Sequence, residues 1–99
     1  MGSRLTKADE ELYRRTDEVL HYVWDPIGVS DCPAARDEYD SYYPVVFSLL
    51  KSGADETAIA KHLTNIAVTT MGLRANEAHD LKVARLLLDW RDRVAETHS

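Results

Sequence analysis

The chain has 99 residues, 44% of them apolar and 29% charged, with 12 Lys and Arg against 17 Asp and Glu for a net charge of −5. That is the length of a single domain with a small core, and the acidic balance argues against a general nucleic-acid binder, which needs a basic footprint. No stretch reaches the roughly 18 apolar residues of a membrane span, no secretory leader pattern is present, and Cys32, the only cysteine, can form neither an intrachain disulfide nor a zinc site by itself, so the expectation is a cytoplasmic protein without cofactor.

Residues 1–5 read as a tail, with Met1, Gly2 and Ser3 outside the fold argument, residues 6–95 as one helical domain, and 96–99 as a second tail. Thr6 is suited to cap a first helix, with Asp9 and Glu10 where a helix start favours negative charge. Leu5, Leu12 and Val19 recur at seven-residue intervals beside Ala8, Leu20 and Val23, which predicts an amphipathic helix over 6–23. Glu10 and Arg14, like Glu11 and Arg15, are spaced for ion pairing one turn apart.

Trp24-Asp25-Pro26-Ile27-Gly28 should end that helix, because a residue before proline avoids the α region and Asp25 is expected to be extended. An ordered loop follows through Pro33, with Trp24, Ile27 and Val29 apolar enough to pin it to the core. Pro33 would suit the first position of a second helix capped by Asp31 or Cys32. Tyr39, Tyr43, Val46, Phe47 and Leu50 then form one stripe, flanked by Tyr42, Val45 and Leu49. Pro44 interrupts it, so either the helix kinks there or a turn ends near Asp40 and Ser41 and a new helix starts at Tyr42. Gly53 should close this element.

Asp55 and Gly72 bound a third helix over 55–71 with Ile59, Leu63, Ile66, Ala67 and Thr70 on its buried stripe. Asn76 caps a fourth over 76–95, with Leu81, Val83, Ala84, Leu87, Leu88, Trp90 and Val94 on one half and Lys82, Asp89 and Arg93 opposite. The absence of alternating runs makes the predicted fold all-α, a small bundle of four helices or five helical segments with an ordered loop between the first two.

Charge is unevenly placed. Residues 1–50 hold 5 basic and 10 acidic side chains, and 51–99 hold 7 of each. Asp25, Asp31, Asp37, Glu38 and Asp40 crowd one segment against Arg36 alone. Such a cluster either steers a basic partner or merely forms a solvated face. The acids could also hold a divalent cation, but adjacent helical residues point about 100° apart, so Asp37 and Glu38 cannot both face one ion without help from Asp25. His21, His62, His79 and His98 carry no ligand spacing, and no Gly-x-Ser-x-Gly or Gly-rich phosphate loop occurs. Glu10-Glu11-x-x-Arg14 departs from the Glu-Glu-x-x-Glu helix of all-α nucleotide pyrophosphohydrolases at its third member. Tyr39, Tyr42 and Tyr43 suit either core packing or an interface, and Leu86 beside Trp90 suits the edge of a homo-oligomer contact.

Val23-Trp24-Asp25-Pro26-Ile27-Gly28-Val29, Asp37-Glu38-Tyr39-Asp40-x-Tyr42, Ala60-x-x-Leu63 and Met71-Gly72-Leu73 together resemble a group of small bacterial helical proteins of unknown function that look like immunity partners of secreted polymorphic toxins. The resemblance covers about residues 19–90 and implies a compact helical fold and a protein partner, with no catalytic residue set. It marks Asp25, Pro26, Gly28, Glu38 and Tyr39 as motif positions. On physical grounds Trp24, Asp25, Pro26, Gly28 and Tyr39 are expected to serve folding, with Glu38 or Tyr39 hydrogen-bonding the loop's free amides. Asp31, Asp37, Glu38, Asp40 and Tyr42 are the candidate surface for a basic protein such as a toxin domain. The alternatives are a small metal-dependent hydrolase built on Asp25, Asp37, Glu38 and Asp40, or a structural homo-oligomer subunit.

Overall fold

The computed structural model describes residues 6–28, 31, 32, 34 and 39–98. Among these the chain forms four helices and no strand. Helix α1 is Lys7–Val19 and continues as a wide, π-helical turn over Leu20–Trp24; α2 is Tyr43–Ser52; α3 is Glu56–Asn65, continued by a second π-helical turn over Ile66–Thr70; α4 is Glu77–Thr97.

The helix starts obey local chemistry. Thr6, Asp55 and Asn76 each accept a hydrogen bond from the backbone N–H three residues on, that of Asp9, Ala58 and His79, which satisfies one of the four orphan donors of a helix start. The expected start of a second helix between Pro33 and Asp37 falls largely outside the described residues. Helix α2 begins at Tyr43 with Pro44 in its first turn, where the missing N–H costs little, and residues 39–42 before it are turn rather than kinked helix. Gly53 ends α2 with φ 88°, a left-handed conformation that glycine adopts without strain. Leu5, Val29 and Pro33 lie outside the described residues.

Helix α4 is the spine, packing most extensively against α3 and α1, while α2 lies chiefly on α1. The core joins Leu12, Val19, Leu20 and Trp24 to Tyr39, Val46 and Leu50, and these to Ile59, Leu63 and Ile66 of α3 and Val83, Ala84, Leu87 and Val94 of α4. Thr70 was expected on the buried stripe of α3 but is exposed. The π-helical turn switches the hydrogen bonds from i→i−4 to i→i−5, as in the Met71 N–H bond to the Ile66 carbonyl at 3.0 Å, and the added residue rotates Thr70 out of phase. Trp90 and Leu86 are half-buried rather than a bare edge. The Arg15 guanidinium lies 4.7 Å from the Trp90 ring centre and also pairs with Glu18 at 2.9 Å and Glu11 at 3.5 Å, tying α1 to α4 by a cation–π contact.

His62, in the last turn of α3, has its Nε2 buried with no hydrogen-bond partner among the described residues, and burial holds its imidazole below the ordinary value of 6.5. Below that value the unfolded chain binds a proton that the folded chain refuses, so this residue's contribution to stability is undiminished above about pH 6.5 and declines as the pH falls from there toward the lower folded value. Melting temperatures measured between pH 8 and pH 5 should therefore fall less steeply for His62→Gln than for the parent chain; parallel curves would contradict the assignment.

Candidate functional site: the bend after α1 and the cleft beside it

The bend is built on an indole. The π-helical turn brings Trp24 fully inside the bundle, where its Nε1–H donates to Asp80 Oδ1 at 2.9 Å. The other oxygen of Asp80 accepts from Thr64 Oγ1–H at 2.7 Å. His79 Nε2 donates to the Trp24 carbonyl oxygen at 3.0 Å, which places the proton of the neutral ring on Nε2, since a carbonyl can only accept. Asp80 is 3% exposed. A carboxylate so enclosed needs donors on both oxygens, and these come from two other segments, 56 and 16 residues away in the chain.

Asp25 closes the wide turn. Its N–H bonds to the Leu20 carbonyl at 3.0 Å and its carbonyl accepts from Gly28 N–H at 3.2 Å. Its backbone is not extended: φ is 35° and ψ 59°, left-handed. The residue before proline was expected in the β region because the ring excludes the right-handed α region. Here the i→i−5 closure and the side chain together override that preference, and aspartate is among the few non-glycine residues that tolerate this conformation. The Asp25 side chain accepts from Tyr39 Oη–H at 2.8 Å, and the same Tyr39 oxygen accepts from the Ile27 N–H at 3.3 Å. Tyr39 is 2% exposed and its ring lies 5.5 Å from that of Trp24. The hydroxyl thus serves a carboxylate and a loop amide at once, and the residues of the Trp-Asp-Pro-Ile-Gly turn and Tyr39 are bound to one another.

Ile27 does not pin the loop to the core. It is 38% exposed, beside Tyr22 at 57% and Val23 at 43%. Tyr39 and Trp24 of the bend are buried, whereas these three side chains are exposed. Of the acids and tyrosine expected to bind a partner, Asp31 and Asp40 are exposed, and Tyr42 is half-buried with its ring 6.4 Å from Trp24. Asp37 and Glu38 lie outside the described residues. Among the described residues no group of three or more His, Cys, Asp and Glu side chains could hold a metal ion, and the Asp25 carboxylate, which would have had to help Asp37 and Glu38 hold one, accepts from the Tyr39 hydroxyl.

A cleft of about 400 Å³ opens beside the bend, lined by Trp24, Asp25 and Pro26, by Ala67 and Leu73 at the end of α3, and by Arg74, Asn76, His79 and Asp80 at the start of α4. The sequence reading did not single out Asp80, Thr64, Arg74 or Asn76 as site residues. Asp80 did leave a signal: with Val83, Ala84 and Leu87 it follows the i, i+3, i+4, i+7 spacing of a buried face, so an acid occupies a core position.

Removing either anchor should destabilise the chain. Tyr39→Phe should lower stability by about 1–2 kcal/mol, a drop of roughly 4–8 °C in melting temperature for each kcal/mol. Asp80→Ala strands the buried Trp24 indole N–H and the half-buried Thr64 hydroxyl and should cost on the order of 3 kcal/mol. A double-mutant cycle with Thr64→Val should show a coupling of about 1 kcal/mol, and additive losses would mean that the hydroxyl and carboxylate act independently. Compared with known proteins, the chain matches no family model, no curated protein and no solved structure.

Proposed function

We propose that this chain is a non-enzymatic protein-binding module that docks a basic protein on the outer side of the bend, in the manner of an immunity protein neutralising a cognate toxin domain. The observation that carries the reading is the exposure of Tyr22, Val23 and Ile27 on one bend, in a segment whose remaining described acids, Asp31 and Asp40, are also exposed. A small apolar centre with a tyrosine and a polar, charged rim is the composition of a protein interface. The partner's sign follows from complementarity, since the first fifty residues carry twice as many acids as bases. The buried Trp24 and Tyr39 hold this surface from beneath, so docking needs little reordering. Blocking a partner by occlusion requires only about 800 Å² of contact from each side.

The test is binding to the C-terminal domain of the protein encoded immediately upstream, followed by stopped-flow kinetics. The pair Asp31→Asn and Asp40→Asn should slow association and flatten its dependence on salt, with little change in dissociation. Tyr22→Ala should raise the dissociation rate about tenfold or more. No complex with that domain, or an association rate indifferent to salt and to the paired substitution, would overturn the reading.

A further inference from the structure

The cleft beside the bend has no part in that docking surface, and its volume of about 400 Å³ falls within the roughly 300–1,000 Å³ of small-molecule sites. Its walls are apolar where Trp24, Pro26, Ala67 and Leu73 form them and ionisable where Asp25, Arg74, His79 and Asp80 do. The two carboxylates are already committed. Both oxygens of Asp80 take internal donors, from Trp24 and Thr64, and Asp25 takes the Tyr39 hydroxyl. His79 is committed as well, to the Trp24 carbonyl, but two other donors are not. Arg74 is exposed and makes no hydrogen bond or ion pair with a described residue. Asn76 uses only its side-chain oxygen, on the His79 N–H at 3.3 Å, which leaves its NH₂ group available. The recognition chemistry left over in this cleft is therefore a guanidinium fork and an amide donor beside an apolar wall. A guanidinium fork matches the two oxygens of a carboxylate or a phosphate.

We propose that the cleft binds a small molecule bearing an oxyanion, a carboxylate or a phosphate, with Arg74 as the charge partner, Asn76 as a second donor, and the apolar body of the ligand against Pro26, Ala67 and Leu73. A cation is a poorer match, because both Asp80 oxygens and one Asp25 oxygen already accept internal hydrogen bonds. The inference is independent of the protein-docking reading and survives its failure.

The experiment is a titration of the full ¹⁵N-labelled chain, at constant ionic strength balanced with chloride, using inorganic phosphate in one arm and benzoate in the other. The Trp24 indole N–H reports on the cleft floor and the amides of Leu73 to His79 on its rim. The expected result is a saturable shift of these signals with at least one probe. Saturation by benzoate alone identifies a carboxylate, and saturation by phosphate alone identifies a phosphate. Arg74→Gln should weaken binding about tenfold. Asn76→Asp, which keeps the capping oxygen but removes the NH₂ donor and adds a negative charge, should also weaken it. Arg74 is exposed and makes no bond to a described residue, so its variant should melt with the parent chain and the binding comparison stays interpretable. Shifts that fail to saturate with either probe, or saturable binding unchanged in Arg74→Gln, would overturn the proposal.

Discussion

A carboxylate enclosed in a helical bundle must be given donors, and in this chain that requirement organises everything around it. Asp80 sits on the core face of α4 with both oxygens occupied. An isolated charge so placed would cost several kcal/mol. Two hydrogen bonds from Trp24 and Thr64, each to a charged acceptor, offset that cost. They also specify register, because only one arrangement of α1, α3 and α4 brings an indole N–H and a hydroxyl to the two oxygens of the same side chain. Apolar contacts among Leu20, Leu63 and Leu87 favour burial without demanding a unique register.

The geometry of the bend follows from seating Trp24. A regular α-helix would carry residues 20–24 forward in phase; the π-helical turn inserts the extra backbone that places the indole over Asp80. The turn is closed by a left-handed Asp25, a conformation that costs a non-glycine residue of order 1–3 kcal/mol unless its surroundings hold it. Here they do, through the Leu20 carbonyl, the Tyr39 hydroxyl and the His79 bond to the Trp24 carbonyl. Tyr39 takes the Ile27 N–H from inside while the Ile27 side chain is 38% exposed, so the same short sequence makes internal bonds and leaves apolar side chains in solvent.

The all-α architecture was legible because it rests on rules of short range. Thr6, Asp55, Asn76 and Gly53 sit where capping chemistry requires them, and the apolar spacing of α4 assigned Val83, Ala84, Leu87 and Val94 to the core. The hydrogen bond expected between Tyr39 and a loop amide is present, to the Ile27 N–H. What periodicity could not show were its own interruptions. Thr70 was misplaced because α3 ends in a π-helical turn, and nothing local distinguishes that turn from α-helix. Asp25 was misassigned because the proline rule weighs neighbours in sequence, whereas its conformation is fixed by Tyr39, fourteen residues away. The cleft was invisible for the same reason: Arg74 and Asn76 acquire meaning only when α3 and α4 bring them opposite Trp24 and Pro26.

The bend and the cleft share Trp24 and Asp25, one on its outer side and the other beside its base. Any motion that lifts the bend must break the indole bond to Asp80 or the carbonyl bond to His79, and both groups line the cleft. Order in the bend and integrity of the cleft therefore rest on the same bonds. On the two proposals above, a molecule bound in the cleft would stabilise that arrangement by mass action, and by linkage it would favour a partner on the bend to whatever extent the partner also requires Trp24 to be seated, the partner favouring the molecule equally.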